Sequence, residues 1–318
     1  LGGELFSGNK KKGQTDIEDG IENVEDFSEP YKETEKKYTE NYFQLQNHQL
    51  PAELQRLVGN CRAAAVIDMD RKILLWGKEY TKAYPLASLT KMITALLAME
   101  SLEKEGSQLS LESPIRVSVA ASKVEGRKVW LDPRETFTFD ELLKCMLIRS
   151  ANDCAFLLGE FIAGGDHDKF VAMMNSRAKE LACNNFVLYN SHGLPHGANR
   201  LENLGNILEL AFIAELLWEY PQIMKWTATR YETIREDSKL FQLDTTNQLL
   251  RSCEGVNGMK TGFTNQAGYC IVASCERQEK KMLAVVMGVD GKSGDKVRNE
   301  IAKHLLEWAY ALNAKQAY

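Results

Sequence analysis

The sequence predicts an α+β fold, an antiparallel sheet flanked by helices, with an all-helical subdomain inserted into it. Three observations carry this reading. Apolar runs of strand character occur early, in AAAVIDMDRKILLWGKE (63–79), and late, in GYCIVASC (268–275) and KMLAVVMGVD (281–290). Between them, from about 136 to 220, the pattern is helical, and an amphipathic stretch, KVRNEIAKHLLEWAYAL (296–312), closes the chain. A hairpin and a meander that share one sheet leave the middle, about 107–250, as the inserted part.

Residues 1–47, opening LGGELFSGNKKKGQTDIEDG, are polar and lack a helical or strand period, which predicts a flexible N-terminal arm. Residues 1–50 carry 11 Asp and Glu against 6 Lys and Arg, whereas the remainder carries 33 of each. The body, 48–318, thus has no basic surplus to hold nucleic acid. The chain opens with Leu and shows no basic segment leading into an apolar core, so it reads as a processed or trimmed product without a visible signal peptide. No apolar run approaches the ~18 residues of a membrane span. Seven cysteines (61, 145, 154, 183, 253, 270, 275) form no C-x-x-C pair and none lies near two histidines, so they read as small buried hydrophobes. Taken alone, they favour a reducing compartment.

Structure begins with a short helix in LPAELQRLVGN (50–60), ending at Gly59, followed by a hairpin that turns at Met69-Asp70. Next, PLASLTKMITALLAME (85–100) starts a helix that runs to about Gly106 and is apolar all round, hence buried. The helices FDELLKCMLIRSAND (139–153), CAFLLGEFIAGG (154–165), HDKFVAMMNSRAKELA (167–182) and ENLGNILELAFIAELLWEY (202–220) follow. Strand character returns at GVNGMKTGFT (255–264), and the polar ERQEK (276–280) turns the meander. No internal repeat stands out.

A lysine in the buried helix needs a reason, because burying an unpaired ammonium is costly. Ser-x-x-Lys occurs five times (Ser7/Lys10, Ser88/Lys91, Ser101/Lys104, Ser176/Lys179, Ser293/Lys296), so the bare spacing decides nothing. Ser88/Lys91 differs in context. Three residues along a helix put both side chains on one face, and Ser88 sits in the first turn, where free N–H groups favour a developing anion. Serine is a poor nucleophile until something takes its proton. Only roughly one ordinary lysine in 2,500 is neutral at pH 7, and lowering its pKa by about 3 units costs ~4 kcal/mol. Burial and a second cation are the two means, so a positive group is expected to face Lys91. Lys260 is the candidate, in the only Lys-Thr-Gly of the chain, flanked by Gly258 and Gly262; glycine in a strand often marks the close approach of a backbone or ligand. Ser150-Ala151-Asn152 falls at a junction of two helices, where a capping serine is the plain alternative.

The ordered set S-x-x-K, S-x-N, K-T-G is far more specific than its parts. Here the sequence resembles the low-molecular-weight penicillin-binding proteins that act as serine-type D-alanyl-D-alanine carboxypeptidases. The resemblance covers about 58–310 and extends to DELLKCMLIRSANDCAFLLGE, KFVAMMNSRAKEL, NSHGLP (190–195) and MKTGFTNQAGYCIVAS. It implies a β-lactamase/transpeptidase-like fold and cleavage of the terminal D-alanine through an acyl-enzyme on Ser88, with Lys91 as its base. Ser150 would relay the proton to the leaving group, Asn152 position the substrate amide, and Lys260 set the electrostatics of the pocket. Thr261 would meet the substrate carboxylate, the N–H groups of Ser88 and Phe263 would form the oxyanion hole, and Gly262 would let the substrate lie along the strand. Arg298, framed by no motif, is a further candidate for the carboxylate. The resemblance also implies peptidoglycan stem peptides ending in D-Ala-D-Ala as substrate, β-lactams as covalent inhibitors, no cofactor or metal, and an extracytoplasmic place in the cell envelope, against the cysteine reading. Attachment to a membrane would run through a segment outside this chain.

Two departures are visible. EGRKVWL (125–131) lacks the small residues common at this place in the family, and Asn257 stands where an aspartate is frequent. Neither is expected to touch the chemistry. The chain ends at its last helix, so the β-rich C-terminal domain of many relatives is expected to be absent. His192 and His196, in SHGLPHGA, read as structural or rim residues, and no H-E-x-x-H suggests zinc. Three alternatives stay open: a penicillin-recognising sensor that acylates without turnover, a class A-like β-lactamase, for which only Glu202-x-x-x-Asn206 offers a glutamate–asparagine pair, and a serine–lysine glutaminase.

Overall fold

The computed structural model of the chain describes residues 36–316. Most of the acidic arm thus lies outside the described residues. In chain order come β1 (Gln44–Leu45), α1 (Ala52–Leu57), β2 (Ala63–Asp68), β3 (Ile73–Lys78), β4 (Tyr84–Pro85), a 3-10 turn (Ala87–Thr90) and α2 (Lys91–Glu103). The inserted block holds β5 (Pro114–Arg116), α3 (Val119–Ser122), β6 (Thr136–Thr138), α4 (Phe139–Ile148), α5 (Asn152–Ile162), α6 (His167–Glu180), β7 (Leu204–Gly205), α7 (Ile207–Trp218) and α8 (Pro221–Ala228). It closes with the hairpin β8 (Tyr231–Ile234) and β9 (Phe241–Asp244) and with α9 (Leu249–Ser252). Finally β10 (Lys260–Thr264), β11 (Gly268–Arg277) and β12 (Lys280–Val289) lead into α10 (Gly294–Gln316).

The early hairpin and late meander share one sheet, in the order β1-β3-β2-β12-β11-β10. All neighbours are antiparallel except β1, which lies parallel to β3. Strand periodicity sorts the side chains into two layers. Ala63, Ala65 and Ile67 of β2, with Leu283, Val285 and Met287 of β12, face α2, α7 and the helical block. Ala64 and Val66, with Met282, Ala284 and Val286, face α1 and α10. A sheet covered on both faces explains why its strands read as continuous apolar runs. As expected, α2 is buried all round, from Lys91 to Ser101.

Several boundaries differ from expectation. Residues 38–45, assigned to the arm, are docked on the body. The Tyr38 N–H donates to Leu181 O at 2.9 Å, the Tyr38 and Tyr42 rings pack on Phe212, and Phe43 is buried. The arm's polar average hid these three aromatics, which supply the apolar area for docking. The helix expected from Glu202 starts at Ile207, because Asn206 caps it, accepting from Glu209 N at 2.8 Å, and Leu204 pairs with Pro85. The helical block also carries two short hairpins, β5–β6 and β8–β9. Among the described residues no helix is long and apolar enough to cross a membrane, and all seven cysteines are buried and unbridged.

Candidate active site

Three elements converge at the edge of the sheet. The first is the 3-10 turn before α2, where Ala87 takes φ +47°, a left-handed conformation costly for a residue with a side chain, and so presents Ser88 beside β10. The second is the break between α4 and α5. The capping box of Thr138 and Glu141 starts α4, which runs to Ile148, and Ser150 at φ +65° turns the chain so that α5 begins at Asn152. The third is β10 itself, the last strand of the sheet, carrying Lys260, Thr261, Gly262 and Phe263.

Lys91 is fully buried, and its Nζ lies 2.9 Å from Ser88 Oγ, 2.7 Å from Asn152 Oδ1 and 2.6 Å from His192 O. The Asn152 amide is oriented by its Nδ2, which donates to Glu125 O at 3.0 Å and so leaves Oδ1 for the lysine. Burial drives the Lys91 pKa well below the ordinary lysine range, and the charges of Lys260 and Arg127 push it further down. Lys260, also buried, donates from Nζ to Ser150 Oγ and to Thr261 O, each at 2.8 Å. Burial, Arg127 and Arg298 lower its pKa to about 7. The second cation expected beside Lys91 is therefore Lys260, and Arg127 is a third.

Ser88, Ser150 and Asn152 line an open cavity of about 480 Å³ that also takes in Arg127, Thr246, Tyr269, Asp295 and Arg298, with the two lysines buried behind its wall. Thr261 Oγ1 donates to Thr246 Oγ1 at 2.6 Å. Arg298 is buried on the Tyr269 side, with Nη1 donating to Cys270 O at 3.3 Å and Nε and Nη2 to Asn299 Oδ1. Phe263 is half exposed, its ring 4.3 Å from that of Tyr269. Gly262 has a tighter reason than a path for substrate: a Cβ there would lie 3.0 Å from Ser88 N and 3.1 Å from Leu86 O. All nine residues singled out in the sequence thus meet in one place.

Sequence reasoning missed others. EGRKVWL was expected to stay clear of the site, yet Gly126 and Arg127 line the cavity. Asp153, buried at the head of α5, accepts from Val129 N, Leu131 N and Cys154 N at 3.0–3.3 Å, and Arg127 O accepts from Asn152 N at 2.7 Å. The segment is thereby tied to the Ser150–Asn152 turn. Asn257, by contrast, is occupied away from the cavity, its Oδ1 accepting from Ser274 Oγ at 2.8 Å. His192 serves through its backbone: Asn190 Oδ1 accepts from His192 N and Gly193 N and fixes the loop that offers His192 O to Lys91. Burial, then the Lys91 charge, holds the His192 imidazole well below its usual pKa. Glu202 and Asn206 lie outside the cavity; Glu202 Oε1 accepts from Thr264 Oγ1 at 3.0 Å and Asn206 caps α7.

Residues 52–291 match the family model described as D-alanyl-D-alanine carboxypeptidase, peptidase family S11. The chain is 34% identical over 256 residues to D-alanyl-D-alanine carboxypeptidase DacF of Bacillus subtilis, covering 80% of this chain and 63% of that protein. It therefore spans less than two thirds of that relative's length. Among solved structures, penicillin-binding protein D2 of Listeria monocytogenes in its ampicillin-bound form superposes with a TM-score of 0.67 at 26% identity, covering 78% of this chain and 96% of that one. The D-alanyl-D-alanine carboxypeptidase of Mycobacterium tuberculosis gives a TM-score of 0.70 at 25% identity, covering 84% and 94%. With three quarters of its length matched by the family model and the serine, lysine and KTG elements assembled at one sheet edge, the chain belongs to the serine D-alanyl-D-alanine carboxypeptidases of family S11.

Proposed function

We propose that this chain removes the terminal D-alanine from peptidoglycan stem peptides as a serine D,D-carboxypeptidase, through an acyl-enzyme on Ser88. The set of partners around Lys91 Nζ carries the reading. A neutral amine has two N–H donors and one lone pair. Asn152 Oδ1 and His192 O can only accept, so they take both N–H groups and leave the lone pair for the Ser88 hydroxyl, 2.9 Å away. That is the arrangement a general base needs.

In the proposed reaction Ser88 Oγ attacks the carbonyl of the penultimate residue while its proton passes to Lys91. The N–H groups of Ser88 and Phe263 receive the oxyanion, where one such donor is typically worth about 10²–10³ in rate. Ser150, held by Lys260, relays the proton to the departing D-alanine amine, and Asn152 holds the substrate amide. Lys260, Thr261 and Arg298 receive the terminal carboxylate. Water then attacks the ester, with Lys91 again taking a proton, and restores Ser88. A β-lactam offers the same pocket a reactive amide and a carboxylate, so it would acylate Ser88. Such a substrate places the enzyme outside the cytoplasmic membrane.

The test is release of free D-alanine from diacyl-L-Lys-D-Ala-D-Ala, with Ser88→Ala alongside. Repeated turnovers that vanish in the variant support the proposal. Covalent labelling of Ser88 by penicillin without turnover would overturn it in favour of a sensor.

A further inference from the structure

Of the two cationic side chains on the cavity wall, Arg298 is held by Cys270 O and Asn299 Oδ1, which leaves Arg127. The turn that bears it is rigidly built. Gly126 adopts φ +76°, and an added Cβ there would lie 2.7 Å from Asn152 Nδ2. Asn152 N donates to Arg127 O, and Asn152 Nδ2 to Glu125 O. The neighbouring cations are engaged: Arg149 donates from Nε to Lys128 O and stacks over Trp130 and Phe241, while Lys128 faces Glu125 at 3.7 Å. Among the described residues no acceptor holds the Arg127 guanidinium, which is exposed at the cavity and sits near Lys91, Lys260 and Arg149. A planar bidentate donor without a partner, surrounded by positive charge, suits an anion from outside.

The cavity has a direction. Arg298 lies beside Tyr269, its guanidinium 6.0 Å from that ring, whereas Arg127 belongs to the segment bonded to Asn152. A peptide whose terminal carboxylate reaches Thr261 and whose amide meets Asn152 therefore extends its acyl portion towards Arg127. We infer that Arg127 is a specificity-determining residue that receives a carboxylate carried by the acyl portion of the substrate, on the residue preceding the two D-alanines. This inference rests on the carboxypeptidase reading. It defines the favoured substrate as a D,D-peptide with two anionic groups, one at the C-terminus and one on that side chain.

The experiment compares two peptides that differ in one charge: Nα-acetyl-L-Lys-D-Ala-D-Ala with either a succinyl or a succinamoyl group on Nε. The wild-type protein is expected to prefer the succinyl peptide by about five- to tenfold in kcat/KM, the worth of a partly exposed charge-assisted bidentate contact. Arg127→Gln should equalise the two peptides, Arg127→Lys should keep part of the preference, and added salt should weaken it. Arg127 also bears on the two lysines, so its loss can change rate and pH profile, but that effect is common to both peptides and cancels in their ratio. Equal wild-type rates, or a preference that survives in Arg127→Gln, overturns the inference. If neither peptide is hydrolysed, the carboxypeptidase reading fails on its own. The charge preference is then decided by acylation of Ser88 with benzylpenicillin against its α-carboxy derivative, where equal rates, or an Arg127→Gln ratio unchanged from wild type, refute the role of Arg127.

Discussion

A methyl group at position 262 tests the closest approach in the site. In Gly262→Ala the new Cβ would lie 3.0 Å from Ser88 N, 3.1 Å from Leu86 O and 3.2 Å from the Ala87 Cβ. Ordinary carbon contacts settle at about 3.5–4.0 Å, so each is short by several tenths of an ångström. The strand cannot simply recede, because β10 is paired with β11 from Lys260↔Val272 to Thr264↔Gly268. The nucleophile turn must move instead, and with it the Ser88 N–H proposed for the oxyanion hole. Overpacking of this kind costs ~1–3 kcal/mol of stability, and displacing one oxyanion donor costs about 10²–10³ in rate. The expected outcome is a fall of about a hundredfold in the acylation rate of Ser88 by a penicillin, with a Tm lower by only a few degrees. Gly59→Ala, where a Cβ would meet nothing within 4 Å, is the control. An acylation rate within about threefold of wild type would refute the placement of the oxyanion hole between Ser88 and β10.

Three further outcomes follow from the electrostatics. In Lys260→Met, Lys91 loses a neighbouring charge that lowers its pKa; since the deprotonated lysine is the active base, the rise of acylation rate with pH should move to higher pH, and an unmoved profile would mean that Lys260 does not act on Lys91. Arg177→Met strips the buried Glu100 carboxylate of an Arg177 Nη2–Oε1 contact at 2.7 Å and should cost ~3–5 kcal/mol in denaturant unfolding at neutral pH. Burial already raises the Glu100 pKa, and more so without Arg177, so in the variant the deficit should shrink as pH falls through that raised range and level off below the ordinary carboxylate range, where folded and unfolded chains are both protonated. Asp153→Ala leaves three buried backbone N–H groups without their acceptor and should cost ~2–3 kcal/mol, with Asp153→Asn milder, and should slow acylation by loosening the segment that braces Asn152.

Legible in the sequence is whatever chemistry ties to spacing. Ser88 and Lys91 have to lie three apart, one in the 3-10 turn and the other at the head of α2, and Lys260, Thr261 and Gly262 have to be consecutive on one strand, so both groups stand out in the bare sequence. The sheet is legible because each of its long strands is apolar on both faces. What stays hidden depends on the backbone or on distant partners. Arg127 is a single arginine in an irregular stretch, and only the Asn152 N–Arg127 O bond and the Asp153 carboxylate place it at the cavity. His192 acts through its carbonyl, which no side-chain reading detects. Strand β1 is two residues long, and YETI and FQLD of the β8–β9 hairpin are too polar and too short to separate from loop. A lone clue exists for the segment at 125–131: its departure from the family pattern marks a place where this chain builds its site differently.

The location of the site follows from a problem that every open sheet has. β10 is the last strand in the order, and an edge strand leaves a row of N–H and C=O groups unpaired. Here part of that edge is covered by the 3-10 turn bearing Ser88, close enough that only glycine fits at position 262, and part is left open, with Phe263 half exposed. An extended peptide laid along such an edge would gain main-chain hydrogen bonds that depend on no particular side chain, and selectivity must then come from the two ends of the cavity. In the proposed binding mode Lys260, Thr261 and Arg298 serve one end and Arg127 the other, each end bringing positive charge, with the Asp295 carboxylate also on the wall. The charges that hold Lys91 neutral are thus the same charges that would fix an anionic peptide in register, so the cost of gathering buried cations serves the base and the substrate at once. If the two functions are joined in this way, a substitution that relieves the repulsion, such as Lys260→Met, should raise stability while lowering kcat/KM for an anionic substrate. A variant that lost stability and activity together would show that Lys260 is held chiefly by its bonds to Ser150 and Thr261.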